Sequence, residues 1–228
     1  MSRSLHLAIS ILLICILRFS ESYAQSNAIV AENNLPGTPA SEWDIDGAGD
    51  LSIQGFATDI SYNKGETASF KIKTNAVGFR IDIYRLGYYQ GNGARLITSF
   101  TRNTASPQPT CMTDATTGLV DCGNWAESAQ WIIPGDAVSG IYIAKLTRTN
   151  PAGASHIAFI VRDDSSTSDL LFQTSDATWQ AYNVYGDNNN GRSLYAGVNG
   201  IGKASKVSYN RPFLTRNPPL RRLSRGKS

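Results

Sequence analysis

TASFKIKT (67–74) is the stretch that decides the fold. Ala68, Phe70 and Ile72 share one face of it, and Ser69, Lys71 and Lys73 share the other. A repeat of two is what a half-buried strand imposes, because successive side chains leave a pleated backbone on opposite sides. The next run, GFRIDIYRL (78–86), repeats the pattern, with Phe79, Ile81 and Ile83 facing one way and Arg80, Asp82 and Tyr84 the other. Working outward, LSIQGFAT (51–58) and residues 94–100, 128–133, 140–147 and 155–162 read alike, punctuated by turn formers such as NKG (63–65) and GYYQGNG (87–93). Roughly seven short strands so punctuated predict an immunoglobulin-like antiparallel β-sandwich over residues 42–163. In VSGIY (138–142) Tyr142 follows a turn, where such sandwiches tie a corner through a tyrosine hydroxyl; an ordinary alternating strand tyrosine gives the same pattern.

The first residues carry an address. Arg3 precedes the apolar run LHLAISILLICIL (5–17), and SYA (22–24) offers a small-x-small cleavage site. The run is shorter than the ~20 apolar residues of a membrane span. Residues 1–24 therefore read as a secretory signal peptide, with an uncleaved anchor as the alternative, and the destination as secreted or periplasmic. Cys15 follows Ile14, where a lipid-anchored precursor needs a small residue. Residues 25–41 are polar and small, with Pro36, Gly37 and Pro39, and predict an extended leader.

The net charge of +3 hides two different regions. Residues 211–228 carry six basic side chains and no acid, whereas residues 25–210 carry 13 basic and 17 acidic ones. A mildly acidic folded region without a basic stripe argues against a nucleic-acid partner. No integral membrane segment follows the signal.

Beyond Cys15 two cysteines remain, Cys111 and Cys122, flanking CMTDATTGLVDC (111–122). In an exported chain such a pair predicts a disulfide, and closing a loop of this size contributes ~3 kcal/mol by restricting the unfolded chain. One histidine with two thiols makes no zinc site of standard spacing. The bridged loop reads as a staple, with ligand binding as the alternative.

After Arg162 the pattern changes. DDSSTSD (163–169) is a polar linker, and LLFQT (170–174) is an apolar run without alternation, as in a strand buried on both faces of a parallel sheet. Residues 168–213 are accordingly expected to begin an incomplete α/β domain, with SDATWQAYNVY (175–185) a loop or short helix. Trp179, Tyr182, Tyr185 and Tyr195 cluster just beyond the expected strand, where α/β sheets place ligands. Phenolic oxygens can hold a hard cation; packing between two domains explains the same cluster. Other chemistry is sparse. His156, the one histidine after the signal, lies in an alternating strand run and reads as a structural residue. There is no GxSxG, HExxH or P-loop. DIDGAGD (44–50) has the alternate carboxylates of a calcium loop but lacks its terminal glutamate.

GFRIDIYRLGYYQGNGAR (78–95), VSGIYIAKL (138–146), ASHIAFIVRDD (154–164), LLFQTSDATWQAYNVYGDNNNGRSLY (170–195) and KVSYNRPF (206–213) together resemble bacterial proteins similar to the large (β) subunit of N,N-dimethylformamidase. The resemblance implies a sandwich followed by a C-terminal α/β domain reminiscent of glutamine amidotransferases. It also implies hydrolysis of an amide C–N bond at an iron held by two tyrosines and a glutamate, the metal polarising the carbonyl and acidifying bound water. Tyr182, in TWQAYN, matches one tyrosine ligand and Tyr195, in SLY, the other, with Tyr185 and Tyr209 as rivals; Trp179 falls in the same binding region. No acidic residue follows Asp187, so the glutamate has no counterpart here. The resemblance stops at Phe213, and LTRNPPLRRLSRGKS (214–228) reads either as a disordered basic tail or as the end of a truncated or frameshifted gene. On this reading the chain is an inactive relative that holds no iron and lacks a domain or partner subunit. The rival is a non-catalytic extracellular module binding carbohydrate or protein through loops 87–93 and 111–122.

Overall fold

The computed structural model describes residues 27–187 and 190–214; the segment expected to be a signal peptide (1–24) and residues 215–228 of the expected basic tail lie outside the described residues. Two short helices, α1 (Ala28–Asn33) and α2 (Ala40–Trp43), stand where an extended leader is expected. Asn27 caps α1 by accepting the Ile29 and Val30 amides on its side-chain oxygen, at 2.9 and 3.4 Å. The helix is held down by Glu32, a buried carboxylate that accepts from the Tyr89 hydroxyl and from Arg95, both at 2.7 Å. Composition alone does not reveal such a long-range anchor.

The strands are β1 (Ile53–Ala57), β2 (Ser61–Asn63), β3 (Thr67–Thr74), β4 (Phe79–Leu86), β5 (Ala94–Arg102), β6 (Met112–Asp114), β7 (Leu119–Asp121), β8 (Ala129–Ile132), β9 (Gly140–Thr149) and β10 (Ala152–Arg162). One sheet runs β1-β3-β8 and the other β2-β10-β9-β4-β5, with β6 and β7 a separate hairpin. All pairs are antiparallel except β2 with β10. The first edge of the chain is thus shared, β1 in one sheet and β2 in the other. The sheets face each other across a common core. Phe70 and Ile72 come from one sheet, Ile81, Ile83, Tyr142, Leu146 and Phe159 from the other, and the Phe70 and Phe159 rings meet at 5.5 Å. This strand order is that of an immunoglobulin-like sandwich. The corner expected at Tyr142 is present, its hydroxyl donating to the Val138 carbonyl at 2.7 Å.

Alternation gives the inner face of β4 but not the fate of its outer face. Asp82 and Tyr84 are buried as well: Asp82 accepts hydrogen bonds from Arg80 and Ser99, and the amino-terminal segment covers Tyr84. Trp43 packs on a cluster of Tyr84, Ala94 and Ile143. The run 170–174 departs further from expectation. It forms no strand, and Leu170, Leu171 and Phe172 are 90, 93 and 79 % exposed. A strand apolar on both faces needs neighbours to share its ladder and layers to cover it; among the described residues neither lies beside it, and the expected α/β domain does not take shape. Among the described residues there, only α3 (Asp176–Tyr182) is regular, apart from a 3-10 turn at Val198–Gly200.

Candidate functional site

The segment after α3 has almost no ladder of its own and is organised by side chains. Arg211, grouped by charge with the basic tail, is instead fully buried. Its guanidinium donates to the carbonyls of Asn183 (2.9 Å), Arg192 (2.9 Å), Gln180 (3.2 Å) and Tyr185 (3.3 Å). Two of these, Gln180 and Asn183, lie at the carboxyl end of α3, where a cation complements the helix. Burial pulls the Arg211 pKa down to about 10, still well above neutrality, so the group stays charged. Asn183, also fully buried, accepts the Tyr185 and Leu214 amides and donates to the Pro212 carbonyl. Glycines allow the close turns: a Cβ on Gly191 would lie 1.9 Å from the Val184 carbonyl oxygen.

This segment rests on the disulfide hairpin. Cys111 and Cys122 are bridged as expected. Each cysteine's own amide reaches across, Cys111 to the Asp187 carboxylate and Cys122 to the Asn210 carbonyl, both at 2.6 Å. The sulfurs lie in a second apolar cluster with Phe56, Val120, Trp125 and Tyr185. Asp187 also pairs with Lys73 of β3 at 2.7 Å. The hairpin loop 111–122 and the turn 87–93, candidates for free binding loops, are both engaged internally, the latter through fully buried Tyr89.

The four aromatic candidates separate. Tyr182, at the end of α3, and Tyr195 come together as a stacked pair, ring centroids 4.4 Å apart and planes 18° from parallel, both more than half exposed. Tyr185 turns inward against Trp125, and burial raises its phenol well above the usual range. Tyr209 donates to the Asp176 carboxylate at 2.8 Å, and burial followed by that contact raises its pKa. Trp179 leaves the phenols and packs edge-on to Phe213 at 6.4 Å. His156 is tied by Nε2 to the Trp43 carbonyl at 2.8 Å, as a structural strand residue would be.

As an iron site the pair is deficient. A hard cation needs several oxygen donors, yet no carboxylate among the described residues hydrogen-bonds either phenol. Nor do the described residues contain a group of three or more His, Cys, Asp or Glu placed to hold a metal. The described residues therefore do not fit the family's metal on their own. DIDGAGD (44–50) gathers no such group either, and its Asp50 is held below the usual carboxylate range by Ser52. No helix among the described residues is long and apolar enough to cross a membrane.

Arg211, Asn183 and Gln180 escape a pattern-based reading because buried polar hubs have no periodicity. The phrase NRPF, inside the resemblance, is the signal that could have flagged Arg211.

No curated protein matches the chain. Among solved structures that match is the crystal structure of VCBP3, domain 1, from Branchiostoma floridae, at 8% identity and a TM-score of 0.30, covering 52% of this chain and 100% of that one. The fold assignment stands on the strand order alone. The family model described as "N,N-dimethylformamidase beta subunit-like, C-terminal" matches residues 80–224. The match begins inside β4, so it takes in most of the sandwich as well as the segment organised by Arg211. The chain belongs to the N,N-dimethylformamidase beta subunit-like family.

Proposed function

We propose that this chain is the exported scaffold part of a dimethylformamidase-like amide hydrolase and is not catalytic alone. The observation carrying this reading is the Tyr182–Tyr195 pair, two phenols stacked and exposed, neither hydrogen-bonded to a carboxylate among the described residues. Hydrolysis of an unactivated amide requires that the carbonyl be polarised and a water be deprotonated. The pair offers neither a strong electrophile nor a base, and His156 is committed to Trp43. The phenols become useful once a further polypeptide portion supplies the missing acid. Export fits the signal at 1–24 and the bridged cysteines, since disulfides persist in oxidising compartments.

Expression with its native amino terminus in a bacterial host tests both halves. Material recovered outside the cytoplasm should begin at Gln25. Loaded with ferrous or ferric iron and desalted, it should retain far less than one iron per chain and release no dimethylamine from dimethylformamide. One retained iron per chain together with amide turnover would refute the scaffold reading, and an intact 1–24 segment would refute export by cleavage.

A further inference from the structure

The outer face of the five-stranded sheet, in an isolated sandwich, meets water and carries polar side chains. Here part of it is apolar: Ile141 and Ile143 of β9 and Ala158 of β10 form the floor of a cavity of about 420 Å³. Its walls come from two distant parts of the chain, Trp43 at the end of α2 and Trp179 with Phe213 from the carboxyl-terminal segment. These walls are fixed without a ligand. The Trp43 indole donates to the Asn92 carbonyl at 3.0 Å, and its ring lies so close to Gly93 that a Cβ there would sit 2.9 Å from the indole. Gly93 also has φ +84°, which favours glycine. Trp179 is held edge-on by Phe213, and α3 is anchored by Arg211.

The chemistry of the lining selects the ligand class. No Asp, Glu, Lys or Arg lines the cavity among the described residues, and its polar side chains, His156 and the Trp43 indole, are already hydrogen-bonded. A charged molecule would lose its hydration without a counter-charge, and a sugar would leave hydroxyls unpaired. An aromatic plate would lose little and would meet aromatic walls. We propose that this cavity binds one small, uncharged, predominantly apolar aromatic molecule. The phenol pair plays no part in this argument, so the binding site stands or falls independently of the scaffold reading.

Titration of the full chain with N-phenyl-1-naphthylamine, followed by probe emission excited through tryptophan, tests it. One saturable site per chain is expected, with Kd about 1–100 μM for a ligand of this size. Ala158→Phe fills the floor and should weaken binding at least tenfold; Ala48→Phe, on the lining loop, should do the same and decides the matter if the first variant does not fold. The triple variant Leu170→Ser, Leu171→Ser, Phe172→Ser should bind as the parent does. The proposal is overturned if both cavity-filling variants bind normally, or if the triple variant abolishes binding. It is also overturned if saturation occurs only in a self-associated species, in which case a second copy is the occupant.

Discussion

Arg211 and Tyr142 show how much of this fold rests on single polar atoms placed among carbonyl oxygens. Tyr142 closes the sandwich corner on Val138 while its ring packs against Trp131 and Phe159. Burial raises the Tyr142 phenol above its ordinary value, as it does for Tyr185. With the folded pKa above the unfolded one, near 10, the contribution is whole below pH 10 and is lost as pH rises, because the unfolded chain then ionises while the folded one resists. Urea unfolding should give flat stability up to about pH 9 and a steep fall beyond 10. The double variant Tyr142→Phe, Tyr185→Phe should flatten that alkaline limb. At neutral pH it should cost about 1 kcal/mol for the lost corner hydrogen bond. An unchanged alkaline slope would show that neither phenol governs it.

Among the elements, the β6–β7 hairpin is the joint between sandwich and carboxyl-terminal segment. Both bridging cysteines donate their own amides to that segment, so the bridge fixes two hydrogen bonds as well as a loop. The double variant Cys111→Ser, Cys122→Ser should lose ~3 kcal/mol of stability from the loop term. Under limited trypsin it should be cut at Arg192 and Lys203 much faster than the parent, with sites inside β3 and β9 still protected; equal rates in both proteins would remove the hairpin from this role. Legibility follows the same division. β1, β3, β4, β5, β8, β9 and β10 were readable from period two, because each has an inner face on the shared core. β2, with three residues, is too short to show a period, and β6 and β7 lie in a run of turn formers. The meeting of Tyr182 with Tyr195 followed from the resemblance and not from spacing. The hub at Arg211 was not legible from spacing or charge, since charge predicts exposure and burial here rests on four carbonyls; only the phrase NRPF pointed to it.

For the whole molecule, the unusual surface is the run at 170–172. Three large apolar side chains stand exposed in succession, and the described residues offer no hydrogen-bond partner to the backbone there. An exposed segment with apolar side chains and amides unpaired within the described residues is ready to pair with a like segment or a strand edge. Light scattering coupled to size exclusion should therefore show association that grows with concentration. Replacing Leu170, Leu171 and Phe172 together with Ser should return the protein to monomer. Because these side chains bury nothing in the folded chain, the same change should leave stability within about 0.5 kcal/mol. If the serine variant still associates, the contact lies elsewhere, at exposed Ile132 or Val77 for example. If instead it melts appreciably earlier, the run has a partner within its own chain, and 170–174 must be counted part of the folded unit.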